Sequence, residues 1–160
     1  QQYQIPYEII PGISAASGIS AYAGIPLTAR GYAQGVRFIT FNPNSSYTED
    51  EWRELAATSD TLVCYMASTN LDILVKRLMD YGSSPQKPLA VIEQGTTVYQ
   101  QVHTTTLENF EKDFAGKTFS SPSLIIIGEV VKLHEQFQWF TSQAVGSVFN
   151  ELSNKKNLTV

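Results

Sequence analysis

The stretch "YEIIPGISAASGISAYAGIPLT", residues 7–28, decides how the rest of the chain is read. Tyr7–Ile10 is a short run of β-type residues, and Pro11-Gly12 stops it. The segment after it is built of Ser14, Ala15, Ala16, Ser17, Gly18, Ser20, Ala21, Ala23 and Gly24. This order predicts a strand, a turn and then a helix of small residues. Such a helix brings little bulk to a core. It either packs very close to a sheet or leaves backbone N–H and C=O groups open to a ligand.

Outward from this stretch, strands and helices alternate. "VRFITF" (36–41), "TLVCYM" (61–66), "LAVIE" (89–93) and "SLIIIGEVV" (123–131) are continuous apolar runs, as expected of strands covered on both faces. "VYQQVHTTT" (98–106) alternates and is more polar, which predicts an antiparallel or edge strand with one wet face. Helix starts lie between them. Thr48 with Glu51 forms a capping-box pattern before "WRELAA". Thr69 with Asp72 opens "LDILVKRLMDY", with Leu71, Leu74, Val75 and Leu78 on one face and Gly82 as its stop. Thr105 with Glu108 opens "LENFEKDF", closed by Gly116. "VVKLHEQFQWF" reads as the start of an amphipathic helix. The expected fold is a layered α/β/α domain on an open mixed sheet, with the 98–106 strand supplying the mixing. It covers residues 1–140, and 141–160 reads as an extension, part helix and part frayed tail.

The bulk numbers set limits. With 160 residues and 42% hydrophobic content the chain is long and apolar enough for one domain with a real core. A net charge of −4 argues against a nucleic-acid footprint. The single cysteine, Cys64, lies in an apolar run and reads as core, and no cysteine-based zinc site can form within the chain. No apolar run is long enough to span a membrane, and the expected location is the cytoplasm. The opening at Gln1, on what reads as a helix tail, suggests a domain taken from a longer protein.

Ligands of open α/β sheets sit beyond the carboxyl ends of the strands. The residues expected there are Ser14 and Ala15, then Met66-Ala67-Ser68, then Gln94-Gly95-Thr96-Thr97, then Gly128-Glu129. All four groups are rich in small or hydroxyl side chains. Each has a plainer use as a turn or as packing. Arg30 and Arg37 flank "GYAQGV" and could pair with substrate carboxylates. His103 and His134 have no evident partner in the sequence. His103 reads as a surface residue. Asp72, Glu93 and Glu129 do not form an acid pair, and no metal-ligand spacing is present.

The order "PYEIIPGISAASGISAYAGIPLTARGYAQGVRFIT", "TLVCYMA", "PLAVIEQGTT" and "SPSLIIIGEVVKL" resembles the tetrapyrrole methylases, and among them the uroporphyrinogen-III C-methyltransferase branch. The likeness runs from residue 5 to about residue 140. Departures are Ala29 where the family often has histidine, "ITFNPNSS" in place of a "TGH" run, and "YMA" for "YMG". The family's glycine- and proline-rich loop and "GGDP"-type segment, with its proposed catalytic aspartate, do not occur here.

The resemblance implies the second of two α/β domains, with S-adenosylmethionine held between them. It places Ser14, Ala15, Met66 and Gly95 on the cofactor, and the substrate as uroporphyrinogen III, methylated to precorrin-2 on the route to sirohaem and cobalamin. It implies no metal, a missing N-terminal domain as partner, and a homodimer. The general base would lie in the absent half, so this chain alone should not turn over. Two other readings stay open: another precorrin methylase or relative, or a non-catalytic dimerisation or ligand-sensing module.

Overall fold

Five strands form one sheet in the order β1-β2-β5-β3-β4, with β1 at Val36–Thr40, β2 at Thr61–Tyr65, β3 at Pro88–Glu93, β4 at Gln101–Thr106 and β5 at Ser123–Ile127. The computed structural model describes residues 2–44, 47–142 and 144–149. β1 and β2 are parallel, with Val36 opposite Thr61. β5 runs antiparallel to both β2 and β3, and β4 antiparallel to β3. The mixing expected from the 98–106 segment is present, and β5 adds to it. The three central strands are buried almost throughout, which is why their sequences are continuous rather than alternating.

Alternate side chains of these strands enter two separate cores. Leu62, Cys64, Leu89, Val91, Ile125 and Ile127 point to one face. There they meet α2 (Glu49–Ala57) and α3 (Leu71–Asp80) through Trp52, Leu55, Leu71, Leu74, Val75 and Leu78. Val63, Ala90, Ile92, Leu124 and Ile126 point to the other face, where α1 (Ala15–Ala23) covers them with Ala16, Ile19 and Ala23. Cys64 is fully buried, as its apolar run suggests, and burial pushes its thiol up to about 12.

Local signals explain most boundaries. Ser14 caps α1, its hydroxyl oxygen accepting from the Ala16 N–H. Gly24 ends α1 in the left-handed region at φ 64°, with the Ile25 N–H bonded back to the Ser20 carbonyl. The α2 capping box forms as expected between Thr48 and Glu51. At the other end of α2 the Lys87 ammonium donates to the Ala56 and Thr58 carbonyls at 3.1 and 2.9 Å.

Several expectations are corrected. Tyr7–Ile10 forms no strand. It runs exposed ahead of α1, because among the described residues no strand lies beside it to pair with. Thr69 falls inside a 3₁₀ turn, Ser68–Asn70, that leads into α3, and Asn70 precedes the helix without a side-chain cap bond. Thr105 belongs to β4, which runs to Thr106, so its hydroxyl cannot cap a helix there. It donates instead to Asp113 on the short α4 (Phe110–Asp113) at 2.6 Å. After β5 the chain turns at Gly128 into a 3₁₀ segment, Glu129–Leu133, and a single turn, α5 (His134–Phe137). Of the extension expected at 141–160, residues 141–142 and 144–149 are irregular rather than helical. The expected frayed tail at 151–160 lies outside the described residues.

Candidate functional site

β2 and β3 both end at the same rim of the sheet, because each pairs antiparallel with β5 between them. The N-terminal half of α1 lies at that rim. Tyr65, the last residue of β2, brings its hydroxyl 3.1 Å from Ser14 Oγ and 3.2 Å from the Ala16 nitrogen. Gly18 faces the Thr96 side chain and Gly95 faces Ile19. The chain therefore brings the end of β2, just before Met66, against Ser14 at the start of α1, and Gly95 against Ile19 in the same helix, although more than fifty residues separate Ser14 from Tyr65.

The rim is conformationally unusual. Met66, Gln94 and Thr96 have φ values of 55°, 49° and 67°. Left-handed backbone is uncommon for residues other than glycine, and for a β-branched threonine it is a true outlier. Such strain costs on the order of 1–3 kcal/mol per residue and gathers at functional sites. Met66 also keeps its thioether side chain in solvent, at 71% exposure. Ser14 and Ala15 are exposed as well.

Gly95 stands there for a different reason. Its own φ is not in the left-handed region, and its two neighbours carry that conformation instead. A Cβ added at Gly95 would lie 2.5 Å from Ile19 Cγ1 and 2.9 Å from Cγ2. Glycine at 95 lets α1 sit close to the loop after β3, so the open part of the rim is Ser14, Ala15 and Met66.

The two arginines do not converge. Arg37 points to the α2 face, where its guanidinium bonds Glu54 at 2.7 Å and Asp60 at 3.3 Å. Those two hydrogen bonds, Glu54 first, hold its pKa above the ordinary value. Arg30 lies exposed in the turn after α1, on the other side of the sheet, next to Ala29 and Ala33 of the α1 core. Among the described residues no three His, Cys, Asp or Glu side chains are placed to hold a metal ion.

Sequence reasoning missed three groups. His103 is half-buried and has a partner: its Nε2 lies 2.6 Å from Glu93 Oε2, because register places the two side chains on adjacent strands near the β3–β4 end. The Glu93 carboxylate also accepts the Ser120 N–H. His134 donates from Nδ1 to the Ala23 carbonyl at 2.6 Å, helping to close α1. Gln94, nearly fully buried, uses its side-chain amide as a clamp: Nε2 donates to the Gly146 carbonyl at 3.1 Å and Oε1 accepts the Val148 N–H at 2.8 Å. In the sequence Gln94 is only a glutamine beside a glycine, and that does not reveal a partner fifty residues away.

Known proteins resemble this chain in sequence and in fold. A siroheme synthase of Pseudomonas aeruginosa (strain LESB58) is 46% identical over 136 residues, which is 85% of this chain and 29% of the relative. A siroheme synthase of Neisseria meningitidis (serogroup C / serotype 2a, strain ATCC 700532 / DSM 15464 / FAM18) is 45% identical over 143 residues, 89% of this chain and 29% of the relative. The chain thus spans less than a third of the length of these relatives. A Thermus thermophilus uroporphyrin-III C-methyl transferase, solved in complex with S-adenyl homocysteine, superposes with a TM-score of 0.66 at 26% identity, covering 82% of this chain and 54% of that one. The cobalt precorrin-4 methyltransferase CbiF shares the fold at a TM-score of 0.67 and 21% identity, over 78% of this chain and 52% of that one. The family model of the Tetrapyrrole (Corrin/Porphyrin) Methylases matches residues 1–111, and the chain belongs to that family.

Proposed function

We propose that this chain is the C-terminal half of an S-adenosylmethionine-dependent uroporphyrinogen-III C-methyltransferase, making precorrin-2 for sirohaem and cobalamin. The observation that carries the reading is that α1 meets two strand-end loops at once: Ser14 touches Tyr65, which directly precedes Met66, while Ile19 and Gly18 meet Gly95 and Thr96. The solved Thermus thermophilus neighbour with S-adenyl homocysteine supports the ligand class.

The residues present suit such a ligand. Ser14 and Ala15 lie exposed at a helix start with backbone donors, and Met66 offers a soft apolar side chain. Gly95 shapes the rim by admitting Ile19 and leaves its backbone available to the nucleoside. When bound, S-adenosylmethionine supplies a methyl group already activated by its sulfonium. The work left to these residues is to bind and orient, and to keep water out once a companion domain closes. Each neutral hydrogen bond contributes only about 0.5–1.5 kcal/mol, so affinity needs several of them plus burial. Glu93 is already spent on His103 and the Ser120 N–H, and the proton acceptor is assigned to the companion half. Among the described residues Arg30 has no ion-pair partner and could meet an acidic side chain of the tetrapyrrole, whereas Arg37 is held by Glu54 and Asp60.

The companion domain has a natural seat. Tyr3, Ile5, Tyr7, Ile9, Ile10 and Ile13 are all at least 69% exposed, an apolar arm unusual for an isolated domain. Assembly as a cytoplasmic homodimer belongs to the same proposal and rests on the family resemblance.

Calorimetric titration with S-adenosylhomocysteine tests the reading. The complete protein should bind it and should methylate uroporphyrinogen III, while residues 1–160 alone should bind weakly and not turn over. Absence of binding by the complete protein would favour a packing module, and turnover by the isolated chain would refute the two-half site.

A further inference from the structure

The chain beyond α5 stays on the domain. Trp139 donates from its indole nitrogen to the Ala21 carbonyl at 3.0 Å, and Tyr22 packs against the Trp139 and Phe140 rings. Further on, the Val98 carbonyl accepts the Ser142 hydroxyl at 3.1 Å and the Ala144 N–H at 3.3 Å. Gly146 then passes close over Tyr99, where an added Cβ would lie 3.1 Å from the ring. The route leads from the last turns of α1 to the loop after β3. Val145 and Phe149 keep their side chains in solvent, at 98% and 66% exposure, so apolar burial does little to hold 144–149 in place.

Its main chain holds it instead, and Gln94 makes two of the bonds. Nε2 of Gln94 donates to the Gly146 carbonyl and Oε1 accepts the Val148 N–H. Gln94 is 2% exposed, and its own backbone is already committed. Its N–H donates to the Pro122 carbonyl, and its carbonyl accepts from the Thr97 N–H and hydroxyl. With 146–148 lifted away, the amide would lose both of its partners among the described residues and carry the desolvation cost of an unpaired polar group. Gln94 and Thr96 are also left-handed, and such backbone persists only where its surroundings over-determine it. The segment 144–148 is part of those surroundings.

We propose that residues 144–148 are a strap latched by the Gln94 amide, and that the latch fixes the loop 94–96 in the form that meets the methyl donor, which makes Gln94 a positioning residue of that site. The inference rests on the reading that Met66 and Gly95 hold S-adenosylmethionine. Latch and ligand then favour the same loop conformation, and such coupling is reciprocal. Releasing the strap weakens the ligand, and binding the ligand tightens the strap.

The test uses the complete protein with S-adenosylhomocysteine as probe. Val148→Pro removes the N–H that Gln94 accepts, Val148→Ala keeps it, and Gln94→Met removes both bonds at similar volume. Val148→Pro should weaken binding about fivefold, close to 1 kcal/mol at 1.4 kcal/mol per tenfold. The Michaelis constant for the methyl donor should rise with kcat nearly unchanged, and Val148→Ala should bind as the wild type does. Gln94→Met with Val148→Pro should lose no more than Gln94→Met alone, since both break one latch. In the wild type, saturating probe should slow hydrogen exchange at the Val148 amide by about the same fivefold. Unchanged affinity in Val148→Pro, equal losses in the proline and alanine variants, losses that multiply in the double variant, or Val148 exchange indifferent to the probe would each overturn the latch. Tighter binding by Val148→Pro would overturn it too, by making the strap a competitor for the site. Failure of the wild-type protein to bind the probe, or indifference to Met66→Ala, would instead remove the site on which the inference rests.

Discussion

The two faces of the sheet are built on opposite plans. On one face, α3 alone buries Leu71, Leu74, Val75 and Leu78. Large side chains of that kind contribute about 1.5–3 kcal/mol each on burial. On the other, α1 buries Ala16, Ser20 and Ala23, with Ile19 as the one large side chain it buries. The thick face holds the domain together. The thin face brings a helix start against the strand ends, with Ser14 Oγ 3.1 Å from the Tyr65 hydroxyl. Strain follows the same division: at the rim, Met66, Gln94 and Thr96 occupy left-handed backbone. The small residues in α1 serve close packing, the first of the two uses foreseen for them, and they leave its start exposed. In the middle of the helix Gly18 faces the Thr96 side chain, and at its start Ser14 and Ala15 are exposed.

The largest expected effect tests the thick face. Leu74 is fully buried between α3 and the sheet. Leu74→Ala should cost about 2–5 kcal/mol in urea unfolding. S-adenosylhomocysteine affinity of the folded fraction should stay within twofold of wild type. A large affinity loss would mean the two faces are not separable.

The second prediction probes the join between the faces' two logics. Gly95→Ala places a methyl group against Ile19, whose β-branched side chain yields poorly. A cost of about 1–3 kcal/mol is expected. In an Ile19→Ala background that penalty should vanish, since the clashing atoms are gone. A penalty that persists would refute packing as the reason for glycine. Restored stability with lost cofactor affinity would show that the same space also serves the ligand.

Met66 should behave in the opposite sense to a core residue. Left-handed backbone costs a non-glycine residue about 1–2 kcal/mol, and glycine gives back about 0.5–1 kcal/mol in entropy. Met66→Gly should leave stability unchanged or raise it by up to about 1 kcal/mol, measured by urea midpoint, while weakening binding of S-adenosylhomocysteine several-fold. Loss of stability without loss of binding would make Met66 an ordinary loop residue.

The sequence was most readable where periodicity and caps act locally. The five strands, the Thr48–Glu51 box and the buried stripe of α3 all follow from patterns within about ten residues. It was least readable where partners are distant. Tyr7–Ile10 has a strand's composition but no neighbour to pair with among the described residues, and β propensity without a neighbour makes no strand. The β5 run is as apolar as a parallel strand, since a central strand is buried whichever way it points. At the site, motif resemblance brought Ser14, Ala15, Met66 and Gly95 to one rim, but it said nothing of left-handed backbone, of Ile19 beneath Gly95, or of the Tyr65 hydroxyl. Arginine spacing likewise could not show that Arg30 and Arg37 lie on opposite faces, because strand alternation decides that only once the sheet is formed.

The smallest effect belongs to the thick face and is a matter of pH. Glu51 accepts from the Thr48 N–H at 2.7 Å and from its hydroxyl at 2.9 Å, and these bonds, the backbone one first, hold its carboxyl below the ordinary range. A carboxylate with a depressed folded pKa binds fewer protons than the unfolded chain, so its contribution is complete above the unfolded value of about 4.3 and fades as pH falls through the folded one. Glu51 is fully solvent-accessible, so the effect is modest and weakened by salt. Glu51→Gln keeps a side chain able to accept from the Thr48 N–H but removes the titration. Thermal midpoints followed from pH 6 down through the acid limb should therefore fall less steeply for the glutamine variant. Parallel acid limbs would show that the α2 box stabilises through its geometry alone, and that the charge at its start contributes nothing.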